Sequence, residues 1–230
     1  MSAGDGALVE SRNWQAVVAG MTKVQKLVHL AYRRTDEDVA ICRNEIFAIL
    51  RDSYSMTIRA EIIGLGCADP GNVTPRSGPE LKDMADRAKE SAESIVNTFN
   101  YDLAMEILRI AEDTPTANRN TYASRLYEWE SARNIEKRMQ IDSTETGWAI
   151  NLAKEAFYTY NGEIPAQAEV VPKDTKCPIC AEYVAGNPYG SMDELYRKCE
   201  LPAHPHCPHH GQAITGAPLT RDQCRQLWRG

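Results

Sequence analysis

Two short stretches decide how this chain is read: Asp174-Thr175-Lys176-Cys177-Pro178-Ile179-Cys180, and Leu201-Pro202-Ala203-His204-Pro205-His206-Cys207-Pro208-His209-His210. Each pairs soft ligands two residues apart, Cys177 with Cys180 and His204 with Cys207. A tetrahedral zinc ion takes four thiolate or imidazole donors from two such knuckles. Pro178, Pro205 and Pro208 fix φ and stiffen the turns. Cys177, Cys180, His204 and Cys207 form the first-choice ligand set, and His209 is the best substitute for His204. His206 and His210 are expected to face solvent or to hydrogen-bond locally. With so many protein donors, a closed structural site is expected. A catalytic zinc needs an open position and a nearby base, for which Glu182 and Glu200 qualify by proximity only. A redox role for the Cys-x-x-Cys pair is disfavoured because no βαβ pattern surrounds it.

Outward from the knuckles, composition shifts near Ile164 from helical to proline- and glycine-rich. Residues 168–171 read as a short strand. Ser191-Met-Asp-Glu194 reads as a capping box opening a two-turn helix at 193–199, and Thr220-Arg-Asp-Gln223 as the start of a last short helix ending near Trp228. Upstream, apolar residues recur with the helical period. Stripes predict helices over 7–34, from Asp36 to about Gly64, from Pro79 to about Ala111 and over about 120–140. Asp142-Ser-Thr-Glu145 has the capping-box pattern and predicts a further helix ending at Asn161-Gly162. Residues 64–79 and 112–116 carry turn chemistry. The expected fold is therefore mainly α, with a helical region over 1–140 and a small α+β, zinc-stapled domain over 141–230.

The 230 residues are 43% hydrophobic and 25% charged, ordinary for a globular protein, and three Phe point to aliphatic, Ala-rich helix packing. A formal charge of −6 argues against a dedicated nucleic-acid binder. No apolar run approaches the roughly 18 residues of a membrane span, so no membrane partner is expected. The N-terminus lacks the basic and apolar regions of a secretory signal. Seven cysteines, an odd number, favour thiols and metal over a disulfide framework. Cys42 reads as a buried small hydrophobe, and Cys67, Cys199 and Cys224 as inert thiols without a partner.

The order of residues in the last third carries a resemblance. It runs through Thr144-Glu145-Thr146, Asn151, an aromatic at Tyr158 or Tyr160, Gly162, Lys176-Cys177-Pro178-Ile179-Cys180, Gly186 and the closing Leu201-Pro202-Ala203-His204-Pro205-His206-Cys207. Over about residues 133–210 this resembles the minor head, or head morphogenesis, proteins of tailed bacteriophages of the phage Mu type. Two departures stand out. His206 occupies the place of the usual Asn, and His209 that of the usual final Cys, which leaves the fourth ligand open between His204 and His209.

The resemblance implies a non-enzymatic virion component present in few copies. Its expected partners are the portal protein and, beyond it, the major capsid protein and the packaged double-stranded DNA. It implies a place at the head or portal vertex, in the host cytoplasm during assembly, and help with head assembly, DNA packaging or ejection. Two other classes compete. A zinc nuclease of the HNH type also mixes Cys knuckles with His, but no His lies between Cys180 and His204 and none follows His210. A nucleic-acid-binding zinc module is suggested by Arg221, Arg225, Arg229 and Trp228, since Arg and an aromatic together contact phosphate and stack on bases. The competing reading of that cluster is a short amphipathic helix docking its Trp in the core.

Overall fold

The structure is a computed structural model that describes residues 26, 28, 29, 32, 35–75, 78–162, 164, 166–204 and 207–227, with side chains at 119, 133–142, 166 and 215 left undescribed. The chain is mainly helical, with a small strand-containing C-terminal region, as the sequence implies. In order the elements are α1 (Thr35–Gly64), α2 (Pro79–Asp113), α3 (Arg119–Tyr160), β1 (Ala166–Val171), α4 (Pro178–Ala185), α5 (Met192–Lys198), β2 (His210–Thr215) and α6 (Arg221–Gln226). Among the described residues, no helix is long and apolar enough to cross a membrane. The helix expected over 7–34 lies almost wholly outside the described residues.

Two compact units are found: Met1–Asn44 with Lys89–Glu136, and Glu45–Ala88 with Lys137–Gly230. The sequence places one boundary near residue 140, whereas the second unit also takes in Glu45–Ala88. The two helices expected on either side of Asp142 are one continuous helix, α3. The capping-box reading does not hold there, because Asp142 and Glu145 both lie inside the helix. The Glu145 carboxylate accepts a fork of hydrogen bonds from Arg87 on α2, Nε at 3.0 Å and Nη2 at 3.1 Å. A capping pattern is only a local preference.

In the first unit, Ile107, Ile110 and Tyr122 form a buried cluster, with Val28, Leu103 and Leu126 packed against it. Phe99 and Trp129 stack with ring centroids 5.7 Å apart. Asn118 starts α3 by accepting from the backbone N–H of Asn120 and Thr121 through its Oδ1, satisfying donors that the helix itself leaves free.

The second unit holds the C-terminal region. Here α1 buries Ile46, Leu50, Tyr54, Ile58 and Ile62 at a strict four-residue spacing, and α3 buries Ala149, Ala153, Ala156 and Phe157. Small alanines on α3 let neighbouring elements approach closely. The strands pair antiparallel, Ala168 opposite Ala213 and Val170 opposite Gly211. In β1, Ala168 and Val170 are fully buried while Gln167 and Glu169 point away, the alternation a half-buried strand requires.

The outer edge of β1 is occupied. Tyr189 exchanges backbone hydrogen bonds with Ala168, and the Asn187 side chain accepts from Val170 N–H and donates to its carbonyl. Ser191 caps α5 by accepting from Glu194 N–H, and the Glu194 carboxylate reaches one residue past the cap, to Gly190 N–H. Thr220 and Gln223 form the reciprocal capping box of α6.

The sequence expectations about the cysteines are overturned at several positions. Cys67 and Cys224 are joined in a disulfide across a sequence separation of 157. Cys199 is a buried thiol but not an isolated one, since it donates to the Tyr189 hydroxyl at 3.1 Å. Cys42 is only half-buried.

Candidate metal centre

The first knuckle is built by the start of α4. Pro178 takes the first helical position, where its missing N–H costs nothing. This leaves Cys177 as the N-cap in extended conformation, φ −77° and ψ 124°. Cys180 then falls one turn later and is fully buried. No ordinary side-chain hydrogen bond caps this helix. The Cys180 and Ile179 amides nevertheless face the Cys177 sulfur and, with His204 nearby, hold its thiol below the ordinary cysteine value against the opposing effect of burial.

The second knuckle leads into β2. Cys207 is 3% exposed and His209 likewise 3%, and the Cys207 N–H donates to the His204 carbonyl at 3.0 Å, closing the turn. The sequence reading brought five donors forward, and the fold brings all five together. Cys177, Cys180 and His204 form one group, and Cys180, Cys207 and His209 a second, with ligand atoms in each within 4.8 Å of one another. Cys180 belongs to both.

Its Sγ is 3.5 Å from His204 Nε2 and 3.6 Å from Cys207 Sγ, and Cys207 Sγ is 3.6 Å from His209 Nδ1. A tetrahedral ion with bonds of about 2.3 Å to sulfur and about 2.0 Å to nitrogen needs donor separations of about 3.8 Å between sulfurs and about 3.6 Å between sulfur and nitrogen. The three observed separations lie close to those lengths, so each group of three donors suits one metal ion.

Burial and the adjacent Cys207 and Cys177 sulfurs push the Cys180 thiol up to about 12. A divalent cation among such sulfurs inverts that balance, because a coordinating thiol is deprotonated outright. Burial lowers the His209 imidazole below the usual histidine value, with His204 adding to the effect and the Pro172 carbonyl opposing it. His209 Nε2 is buried with no hydrogen bond of ordinary geometry. The ring is thus aimed through Nδ1 at the sulfurs and is favoured neutral, the form that binds metal.

Residues that the sequence reading did not single out, or did not place in this role, hold the second knuckle in position. Asn151 on α3 donates through Nδ2 to the His209 carbonyl at 3.3 Å and to the Gly147 carbonyl at 2.9 Å, and its Oδ1 accepts from Tyr196 at 3.1 Å. One turn on, Lys154 donates to the Gly211 carbonyl at 2.8 Å and pairs with Glu61 Oε1 at 3.1 Å. Tyr158 donates to the other oxygen of Glu61 at 2.8 Å. Asn151, Lys154 and Tyr158 are spaced three and four apart, so they form a polar stripe on one face of α3. That spacing, between buried alanines, is the signal that marks them. Asn151 was singled out in sequence only through the resemblance.

Other candidates fall away from the cluster. Glu182 and Glu200 are exposed and belong to neither donor group among the described residues. His210 hydrogen-bonds locally, its Nδ1 being 3.3 Å from the Pro208 carbonyl, and His206 lies outside the described residues. Arg221 and Arg225 are exposed on α6, where Arg225 pairs with Asp222 at 3.2 Å, while Trp228 and Arg229 lie outside the described residues. An open cleft of about 550 Å³ runs beside the second knuckle, walled by Thr146, Gly147 and Ile150 of α3 and by Cys207, Pro208 and His209. Compared with protein-family models, curated proteins and solved structures, the chain finds no match.

Proposed function

We propose that the chain is a structural, non-enzymatic head component of a tailed phage, and that its C-terminal region is a module stapled by one zinc ion. The observation that carries this reading is where the residues of the resemblance lie. Glu145, Asn151, Tyr158, Gly186, Cys177, Cys180, His204 and Cys207 all fall in one compact unit, within its continuous stretch Lys137–Gly230. Their polar groups are taken up by that unit's own partners: Glu145 by Arg87, Asn151 by the His209 carbonyl, Tyr158 by Glu61. A set of residues engaged this way supports a framework role. Bound zinc would supply folding free energy, since such a site does not pre-exist in the unfolded chain. The ion would draw its four ligands from Cys177, Cys180, His204, Cys207 and His209.

On this reading the protein acts at the portal vertex, with the portal protein as its first partner and the major capsid protein and packaged double-stranded DNA as further ones. It would join the particle in the host cytoplasm and aid head assembly, packaging or ejection. The test is quantitative mass spectrometry of purified procapsids and virions, with this chain and the portal counted together, alongside metal analysis of the isolated protein. A fixed low ratio to portal and one zinc per chain are expected. Absence from both particles overturns the head-protein reading, and a metal-free, fully folded chain overturns the zinc staple.

A further inference from the structure

The segment after β2 is tethered to the rest of its unit more than it is packed on it. Over residues 216–227 only Leu227 is buried, and α6 contributes no buried residue at all. A six-residue helix has too few hydrogen bonds to stand alone, because nucleation consumes what the first turn gains. Among the described residues, three links join the segment to the turn that ends α1. The Cys67–Cys224 disulfide is one. A single backbone hydrogen bond, Leu219 N–H to the Leu65 carbonyl at 2.9 Å, is the second. The third is a close approach at Gly66, whose φ of +83° and lack of a side chain let Pro218 sit where a Cβ would come within 2.7 Å of the Pro218 Cβ. Two of these links are weak, and the covalent one is the strongest.

We propose that Cys67–Cys224 is a redox-opened clasp: reduction by a dithiol frees and unfolds the segment from Gly216 through α6, leaving the rest of the unit folded. Of the two residues Cys224 is the more exposed, being half-buried, whereas Cys67 is 9% exposed. A dithiol thiolate attacks one sulfur of the pair to give a mixed disulfide, and the dithiol's second thiol resolves it. The protein S–S bond breaks and the dithiol's own S–S bond forms. Two electrons and two protons pass to the protein, leaving two thiols, and exchange with an oxidised dithiol runs the same steps backwards. Of the thiols at the metal centre, Cys180 and Cys207 are shielded at 0% and 3% exposure, while Cys177 is half-buried.

The experiment times trypsin cleavage after Arg221 and Arg225 by mass spectrometry, on the full-length protein held in oxidised or in reduced dithiothreitol. Cleavage follows the population of the locally opened form. At least a roughly tenfold faster cut is expected in the reduced buffer, where one tenfold step is the shift of a local equilibrium by about 1.4 kcal/mol. The double variant Cys67→Ser/Cys224→Ser should be cut at the fast rate in both buffers, while sites in α1 and in the second half of α3 are cut at the native rate. A double variant cut as slowly as the oxidised native protein overturns the proposal. So does failure to recover a linked Cys67–Cys224 peptide from the protein in oxidised dithiothreitol.

Discussion

Lys154 on α3 places its Nζ 3.1 Å from Glu61 Oε1 on α1, with side-chain exposures of only 9% and 16%. The same nitrogen donates to the Gly211 carbonyl of β2, so one side chain ties two helices and a strand together. Breaking a buried pair from one side strands the other charge. Lys154→Ala is expected to cost about 3–5 kcal/mol in urea unfolding. Its effect should be strongly non-additive with Glu61→Ala, because the second change removes the stranded carboxylate. Additive losses in a double-mutant cycle would show that the pair is not coupled.

Cys180 is shared by both donor groups, so the ligands are not equivalent. Cys180→Ser should abolish stoichiometric metal and give the largest drop in Tm of any ligand replacement. His204→Ala and His209→Ala should each retain a weakened site, because each leaves one donor group whole. Cys177→Ser should lower both Tm and metal content, since metal binding is folding free energy. Metal analysis paired with thermal melts reads all four. Equal losses in the two histidine variants and in Cys180→Ser would contradict the shared-donor geometry.

Gly186 is the C-cap of α4, and a Cβ there would overlap the Tyr189 hydroxyl. That hydroxyl donates to the Tyr183 carbonyl at 2.7 Å and accepts from Cys199. Gly186→Ala must therefore push Tyr189 away and break both bonds. A cost of about 1–3 kcal/mol follows for such overpacking, with Cys199 becoming newly reactive to thiol reagents. A variant as stable as the native protein, with Cys199 still protected, would contradict this.

Asp69 shapes the turn after α1. It accepts from Arg59 and from Gly71 N–H, and these bonds hold its carboxyl below the usual aspartate value. A depressed folded pKa means that the stabilisation is fully present above the unfolded value, about 3.9, and is lost as pH falls through the folded one. The effect is small because the pair is exposed. Carboxyl NMR titration should place Asp69 below a model aspartate, and Arg59→Gln should raise it towards the ordinary value, the Gly71 N–H bond keeping part of the depression.

Much of this was legible in the sequence, for reasons that differ by element. The buried stripe of α1 and the turn-rich 64–79 connector are local patterns, and so are the two knuckles, whose spacing alone gathers the five donors. What escaped depends on partners distant in the chain. The α3 helix runs on past Asp142, and Glu145 is engaged by Arg87 on α2, a partner 58 residues away. The strand β2 was not anticipated, because its pairing with β1 comes from tertiary packing, as strand preference generally does. The Cys67–Cys224 bond joins residues 157 apart and leaves no local trace, and the odd cysteine count pointed the other way. The Lys154–Glu61 pair was hidden because charged residues on a helix normally mark a solvated face.

The occupied edge of β1 has a consequence for crowding. A bare strand edge offers a row of free N–H and C=O groups onto which a second chain can graft its own strand. Here Asn187 presents its amide as a counterfeit peptide group to Val170, Tyr189 closes the position at Ala168, and on the opposite margin Lys154 takes the Gly211 carbonyl. Copies brought to high local concentration thus meet a ribbon whose sticky margins are already blunted at its centre, so sheet-to-sheet fusion into aggregates has little to start from.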